Sequence, residues 1–166
     1  GAAIEIAWLR IMQAPISRHD PLSHHWDFRA EGAGGFVPTS GCNYEPGPTG
    51  LKVTLNDQEG LLTGPVVDWQ AAEGRWLTLH LTAAAPLAIA SKWATAPDAR
   101  LAASNLLTAK VSPGEQYLTL DLGEHPNWSG AITRLGLQLT GQPGDTVTLH
   151  ELIVSAKPAG PARLRM

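Results

Sequence analysis

Six tryptophans stand against only two tyrosines and two phenylalanines in this 166-residue chain. An indole stacks well on the apolar face of a pyranose ring while nearby polar groups bind the hydroxyls, so these residues are the first place to look for binding chemistry. Tryptophan is also a core residue, and strand phase separates the two roles. Trp26 opens a strand and Trp93 runs in step with Leu87 and Ile89, so both read as core. Trp69 follows Asp68 at a strand end, and Trp76 is out of phase with Leu77, Leu79 and Leu81. Together with Tyr44 in a long loop and Trp128 in a turn-rich connector, they form the ligand candidates. Asn56, Asp57, Lys92 and Arg100 are the polar side chains expected to accompany them. The competing reading is that half-exposed aromatics of this kind cover a sheet edge or an adjoining module.

Other chemistry is poorly supplied. The six histidines include His19, His24 and His25, close to Asp20 and Asp27, a set of side chains that transition metals accept. Their spacing matches no standard site, and the surrounding stretch reads as a solvated linker. His80 and His150 stand opposite leucine faces on strands, where surface hydrogen bonding explains them. The single cysteine, Cys42, precludes an internal disulfide and a cysteine-based zinc site, and no motif around it marks a nucleophile. The glycine-framed serine motif, the dinucleotide fingerprint and the phosphate loop are all absent. No catalytic residues are assigned, and the chain is not expected to be an enzyme.

Charged residues make up 16% of the sequence and the net charge is -3, which leaves no electrostatic footprint for nucleic acid. No apolar run approaches the ~20 residues that span a bilayer. The 17 glycines and 13 prolines are spread along the chain, which favours many short strands joined by turns. Leu51–Leu55 and Leu61–Val67 flank the turn at 56–60 as a hairpin. Arg75–Thr82 puts Trp76, Thr78 and His80 on the face opposite its leucines, and Gln116–Leu122 does the same with Tyr117, Thr119 and Asp121. Further strands are expected at 87–93, 106–111, 132–140 and 144–158, while 31–50, rich in glycine and proline, reads as a loop. Eight or nine strands of this kind predict an all-β fold, a two-sheet antiparallel sandwich of the jelly-roll type.

The last strand organises the domain boundaries. Gly144–Pro158 aligns without gaps on Gly1–Pro15, and both copies shift the parity of their apolar residues midway, at His150-Glu151 and at Ala7-Trp8, as a β-bulge does. Residues 1–15 are therefore expected to be an echo strand, from a preceding module in a tandem array, followed by a linker at 16–25, the sandwich at 26–158 and a tail at 159–166. An unpaired echo strand would seek a partner, which allows a homo-oligomer through the N-terminal strand.

The order of Trp26-Asp-Phe before a Gly-rich stretch, Trp76-Leu-Thr-Leu-His-Leu, Ala90-Ser-Lys-Trp, Tyr117-Leu-Thr-Leu-Asp-Leu, Asn127-Trp-Ser-Gly and Thr146-Val-Thr-Leu-His-Glu-Leu resembles the galactose-binding-domain-like jelly rolls. These include many carbohydrate-binding modules of polysaccharide enzymes, and the resemblance covers residues 26 to 158. It implies a non-catalytic accessory module that binds a polysaccharide or oligosaccharide within a larger glycan-active or cell-surface protein, with an extracellular or cell-envelope location favoured. The alternative is a structural module that holds neighbouring modules or subunits together without binding sugar. No cofactor is implied beyond the structural calcium common in the group. Where that group places a carboxylate in its last strand this chain has His150, and Ala7 in the echo, which leaves Asp27, Glu31, Asp145 and Glu151 as the oxygen donors for such an ion.

Overall fold

The computed structural model describes residues 23–98 and 100–157. The echo segment 1–15, most of the expected linker with His19 and Asp20, and the tail 159–166 lie outside the described residues. Eleven strands and one short helix follow in the order β1 (Ser23–Asp27), α1 (Phe28–Glu31), β2 (Val37–Ser40), β3 (Cys42–Gly47), β4 (Gly50–Leu55), β5 (Glu59–Gln70), β6 (Trp76–Ala83), β7 (Leu87–Thr95), β8 (Leu106–Val111), β9 (Gly114–Asp121), β10 (Ala131–Thr140) and β11 (Thr146–Ser155). They form two antiparallel sheets. One is ordered β3-β4-β11-β6-β9, with β1 also paired to β11, and the other β2-β5-β10-β7-β8.

The period-two leucine pattern explains the layering. Leu77, Leu79 and Leu81 of β6, with Val147, Leu149, Leu152 and Val154 of β11, turn inward from the six-stranded sheet, all essentially inaccessible. Leu135, Leu137 and Leu139 of β10, with Ile89 and Trp93 of β7, meet them from the five-stranded sheet. Each such side chain stabilises the fold by about 1.5–3 kcal/mol relative to exposure. Among the described residues no helix is long and apolar enough to cross a membrane.

The strands beyond the expected eight or nine come from stretches that read as loop or linker. β2 and β3 lie at sheet edges, where proline is tolerated because one side of the strand needs no ladder donor, so Pro38 and Pro46 did not prevent pairing. Between them a single residue, Gly41, carries the chain from one sheet to the other. Its φ is +66° and a Cβ there would lie 1.7 Å from the Glu59 carbonyl oxygen, so only glycine fits. At the other boundary, His24 and His25 belong to β1, paired with Val154 and Ile153, rather than to a linker.

The expected bulge in the last strand is present. Against β6, the register of β11 shifts between Leu149 and Glu151. On its other edge β11 pairs with β4 before the shift, Thr146 to Leu149, and with β1 after it, Glu151 to Ser155. His150 thus sits where the neighbouring strand changes. Gly50, at the start of β4, approaches this point so closely that a Cβ would lie 2.2 Å from the Leu149 carbonyl oxygen.

Candidate functional site

The outer face of the six-stranded sheet is where aromatic and polar side chains converge. Pairing of β6 with β9 sets Trp76 opposite Asp121, Thr78 opposite Thr119 and His80 opposite Tyr117. Pairing of β6 with β11 adds Glu151 beside His80 and Ile153 beside Thr78. β1 contributes His25 and Asp27 to the same face, next to Ile153 and Glu151. Trp76 and Tyr117 are half-buried and Thr119 is exposed. Four residues separate Trp76 from His80 along β6, so the Trp76 and Tyr117 rings stand about 13 Å apart along the strand direction at about 3.3 Å per residue.

Each ring is held by a partner. The Arg75 guanidinium lies over the Trp76 ring, 5.5 Å from its centroid, and is itself fixed by two 2.6 Å bonds to the Asp121 carboxylate. The Tyr117 ring stacks on His80 at 4.2 Å with the planes nearly parallel. His80 is buried, donates Nε2–H to Glu115 at 2.6 Å and has a second buried nitrogen, Nδ1, with no partner among the described residues. His150 gives its Nδ1–H to the Thr49 carbonyl, which leaves Nε2 to accept the Thr82 hydroxyl at 2.8 Å.

The carboxylates of this face are all engaged. The His80 hydrogen bond and charge hold Glu115 below the usual carboxylate range, and the Arg75 hydrogen bonds and charge do the same for Asp121. Partial burial works to raise Asp27, but the hydrogen bonds and charge of Arg29 outweigh it and leave it lowered. Glu151 pairs with His25 and, at 3.7 Å, with Arg29. These ionised oxygens accept further hydrogen bonds, and with the threonine hydroxyls they offer a hydroxyl-rich ligand both acceptors and donors. Asp145 is occupied by the Gln142 amide and Glu31 accepts from the Asp27 amide. Among the described residues no group of three or more His, Cys, Asp or Glu side chains gathers as a metal site.

The residues singled out from sequence do not converge on this face. Of the expected ligand-binding residues, Trp76 alone lies on it. Tyr44, expected in a loop, is on β3 and packs toward the core, donating its hydroxyl to the Phe36 carbonyl at 2.8 Å. Trp69 lies near the end of β5, as expected of a strand end, but is only 6% exposed and pairs with Ile132. Its ring stacks on His24 at 4.0 Å. Trp128 is 7% exposed and donates its indole N–H to the Ala71 and Gly74 carbonyls. Asn56 and Asp57 occupy the exposed β4–β5 turn, at the Thr146 end of β11, whereas Trp76 pairs with Ser155 at the other end. Lys92 belongs to β7 of the other sheet and Arg100 to the β7–β8 connection. Sequence reasoning missed Tyr117 and Glu115 as ligand candidates, and named Glu151 and His25 only as metal donors. The outward phase of Tyr117 was readable, but not its place beside His80, because β7 and β8 intervene in the chain and belong to the opposite sheet.

No family model matches the sequence, and no curated protein matches it. Solved structures do share the fold. A low-affinity xylan-binding module, CBM86, of the gut symbiont Roseburia intestinalis superposes with a TM-score of 0.56 at 18% identity, over 81% of this chain and 96% of its own. A xylan-binding module, CBM15, gives 0.56 at 14% identity over 82% and 98%. The glycoside hydrolase domain of Endo-D from Streptococcus pneumoniae gives 0.58 at 15% identity, over 76% of this chain but 22% of that one. The chain is thus a two-sheet β-sandwich of the kind found in carbohydrate-binding modules.

Proposed function

We propose that this chain is a non-catalytic carbohydrate-binding module, an accessory part of a larger glycan-active or cell-surface protein, and that it binds a polysaccharide or oligosaccharide on the outer face of its six-stranded sheet. The observation that carries this reading is the pairing of β6 with β9, which places two half-buried rings, Trp76 and Tyr117, on one face with carboxylates and imidazoles, on either side of the buried Thr78 and His80. Sugar rings need apolar faces to stack on and polar groups at their margins, and both are supplied here. The fold shared with xylan-binding modules supports the same reading.

Affinity electrophoresis in gels containing xylan, glucomannan or another soluble polysaccharide tests it. Retardation by at least one of them, abolished in Trp76→Ala and weakened in Tyr117→Ala, is expected. No retardation in any gel, together with a stable oligomer in solution, would instead favour a module that only holds neighbouring modules or subunits together.

A further inference from the structure

The outer face of the five-stranded sheet carries different chemistry. Thr39 of β2, Leu61 and Thr63 of β5, Arg134 of β10 and Arg100 and Leu101 of the β7–β8 connection enclose an open cavity of about 350 Å³. Among the described residues its lining holds two guanidinium groups and no carboxylate. Arg134 is held in place by donating to the Gly64 carbonyl at 2.7 Å. Arg100 is exposed and makes no hydrogen bond or ion pair among the described residues. Lys92, on the neighbouring strand, does not line the cavity and donates its ammonium to the Gln138 side chain at 3.3 Å.

The remaining lining complements these charges. Leu101 occupies the space that a Cβ on Gly136 would fill, and with Leu61 it gives the cavity an apolar side. The Thr39 and Thr63 hydroxyls are hydrogen-bonded to each other at 2.5 Å, so one of them keeps its proton to donate elsewhere. A planar guanidinium matches a carboxylate with two parallel hydrogen bonds, an apolar patch suits the face of a sugar ring, and a hydroxyl suits its rim. The volume lies at the small end of the range for ligand pockets, about 300–1,000 Å³, which suits a single sugar residue better than a chain.

We propose that this cavity is a second saccharide subsite, selective for a sugar residue that bears a carboxylate, a uronic acid. It lies on the opposite sheet from Trp76, so it goes beyond the glycan-binding face described above and stands without it. A polymer with neutral and acidic stretches could then engage the module on both faces.

The test is a titration of the ¹⁵N-labelled full chain with tri-galacturonic acid, xylohexaose and inorganic sulfate. Tri-galacturonic acid is expected to shift the amides of Thr39, Thr63, Arg100, Leu101 and Arg134 saturably, less so as salt is raised because the charges are near solvent. Xylohexaose should leave these amides unmoved. Arg100→Gln should weaken the acidic ligand about tenfold, the loss of one charge-assisted hydrogen bond, and Trp76→Ala should leave it intact. The proposal is overturned by the absence of saturable shifts, by equal shifts with sulfate alone, which would make the cavity an anion site with no preference for sugar, or by binding that survives Arg100→Gln and is lost in Trp76→Ala.

Discussion

Truncating Trp128 to alanine should destabilise the fold by about 3–5 kcal/mol, the range for removing a large, packed aromatic side chain. The indole is 7% exposed and meets Trp93 and Trp69 edge-on, with ring centroids at 5.2 and 6.0 Å. For a chain of this size each kcal/mol lowers the melting temperature by about 2–4 °C, so the loss should be about 6–20 °C. Trp128→Phe separates packing from hydrogen bonding. The Ala71 carbonyl keeps the Gly74 N–H, so the loss falls on the Gly74 carbonyl, which accepts the indole at 3.1 Å. One orphaned buried acceptor costs about 1–3 kcal/mol, equivalent to about 2–12 °C. Trp76→Ala is the counterpart on the open face, and a change of about 1 kcal/mol is expected there. Thermal and urea unfolding followed by circular dichroism, run beside glycan-gel retardation, reads both properties. A Trp128→Ala variant that melts with the parent but loses glycan retention would refute the division of roles.

His24→Phe should stabilise the protein by about 1 kcal/mol at pH 7, because the ring keeps its stack on Trp69 while a buried, partnerless Nε2 is removed. Burial lowers the His24 pKa from its ordinary value of 6.5, with Glu73 acting weakly the other way. The unfolded chain therefore takes up the proton first, and the stability His24 contributes is full above pH 6.5 and lost as pH falls below it. Urea midpoints between pH 7.5 and 5 should fall less steeply in the variant, and an unchanged slope would contradict this. Gly41→Ala should destabilise by about 2–5 kcal/mol, the sum of a left-handed backbone and a clash with the Glu59 carbonyl. A urea midpoint equal to the parent's would show that the crossing between sheets can relax. Tyr117→Ala should weaken glycan binding with little change in melting temperature, since the ring lies on an edge strand, and calorimetric titration checks it.

Much of the sandwich was legible because alternating leucines fix which face of a strand is buried. Leu77, Leu79 and Leu81 face the core as their phase requires, and the parity change at His150 marks a real bulge. The same logic failed where phase is interrupted. Register shifts around Arg134 turn Trp69 into the core, on a strand that was expected to stop at Val67 and runs on to Gln70. Tyr44 sits between Asn43 and the Glu45-Pro46-Gly47 run, and only the edge position of β3 makes that a strand. Trp128 precedes β10 in a connector, where no periodicity reports burial. For the candidate face the outward residues of β6 and of β9 were each readable. Their adjacency was not, since it depends on β7 and β8 crossing to the other sheet.

Assignment of glycan binding to the six-stranded sheet is tested most directly by amide shift mapping of the full chain with neutral hexasaccharides such as xylohexaose, cellohexaose and mannohexaose. At least one should produce saturable shifts centred on Trp76, Thr78, His80, Tyr117 and Glu151, with β5, β7 and β10 unmoved. Shifts confined to the five-stranded sheet, or none with any of the three at millimolar concentration, would contradict it.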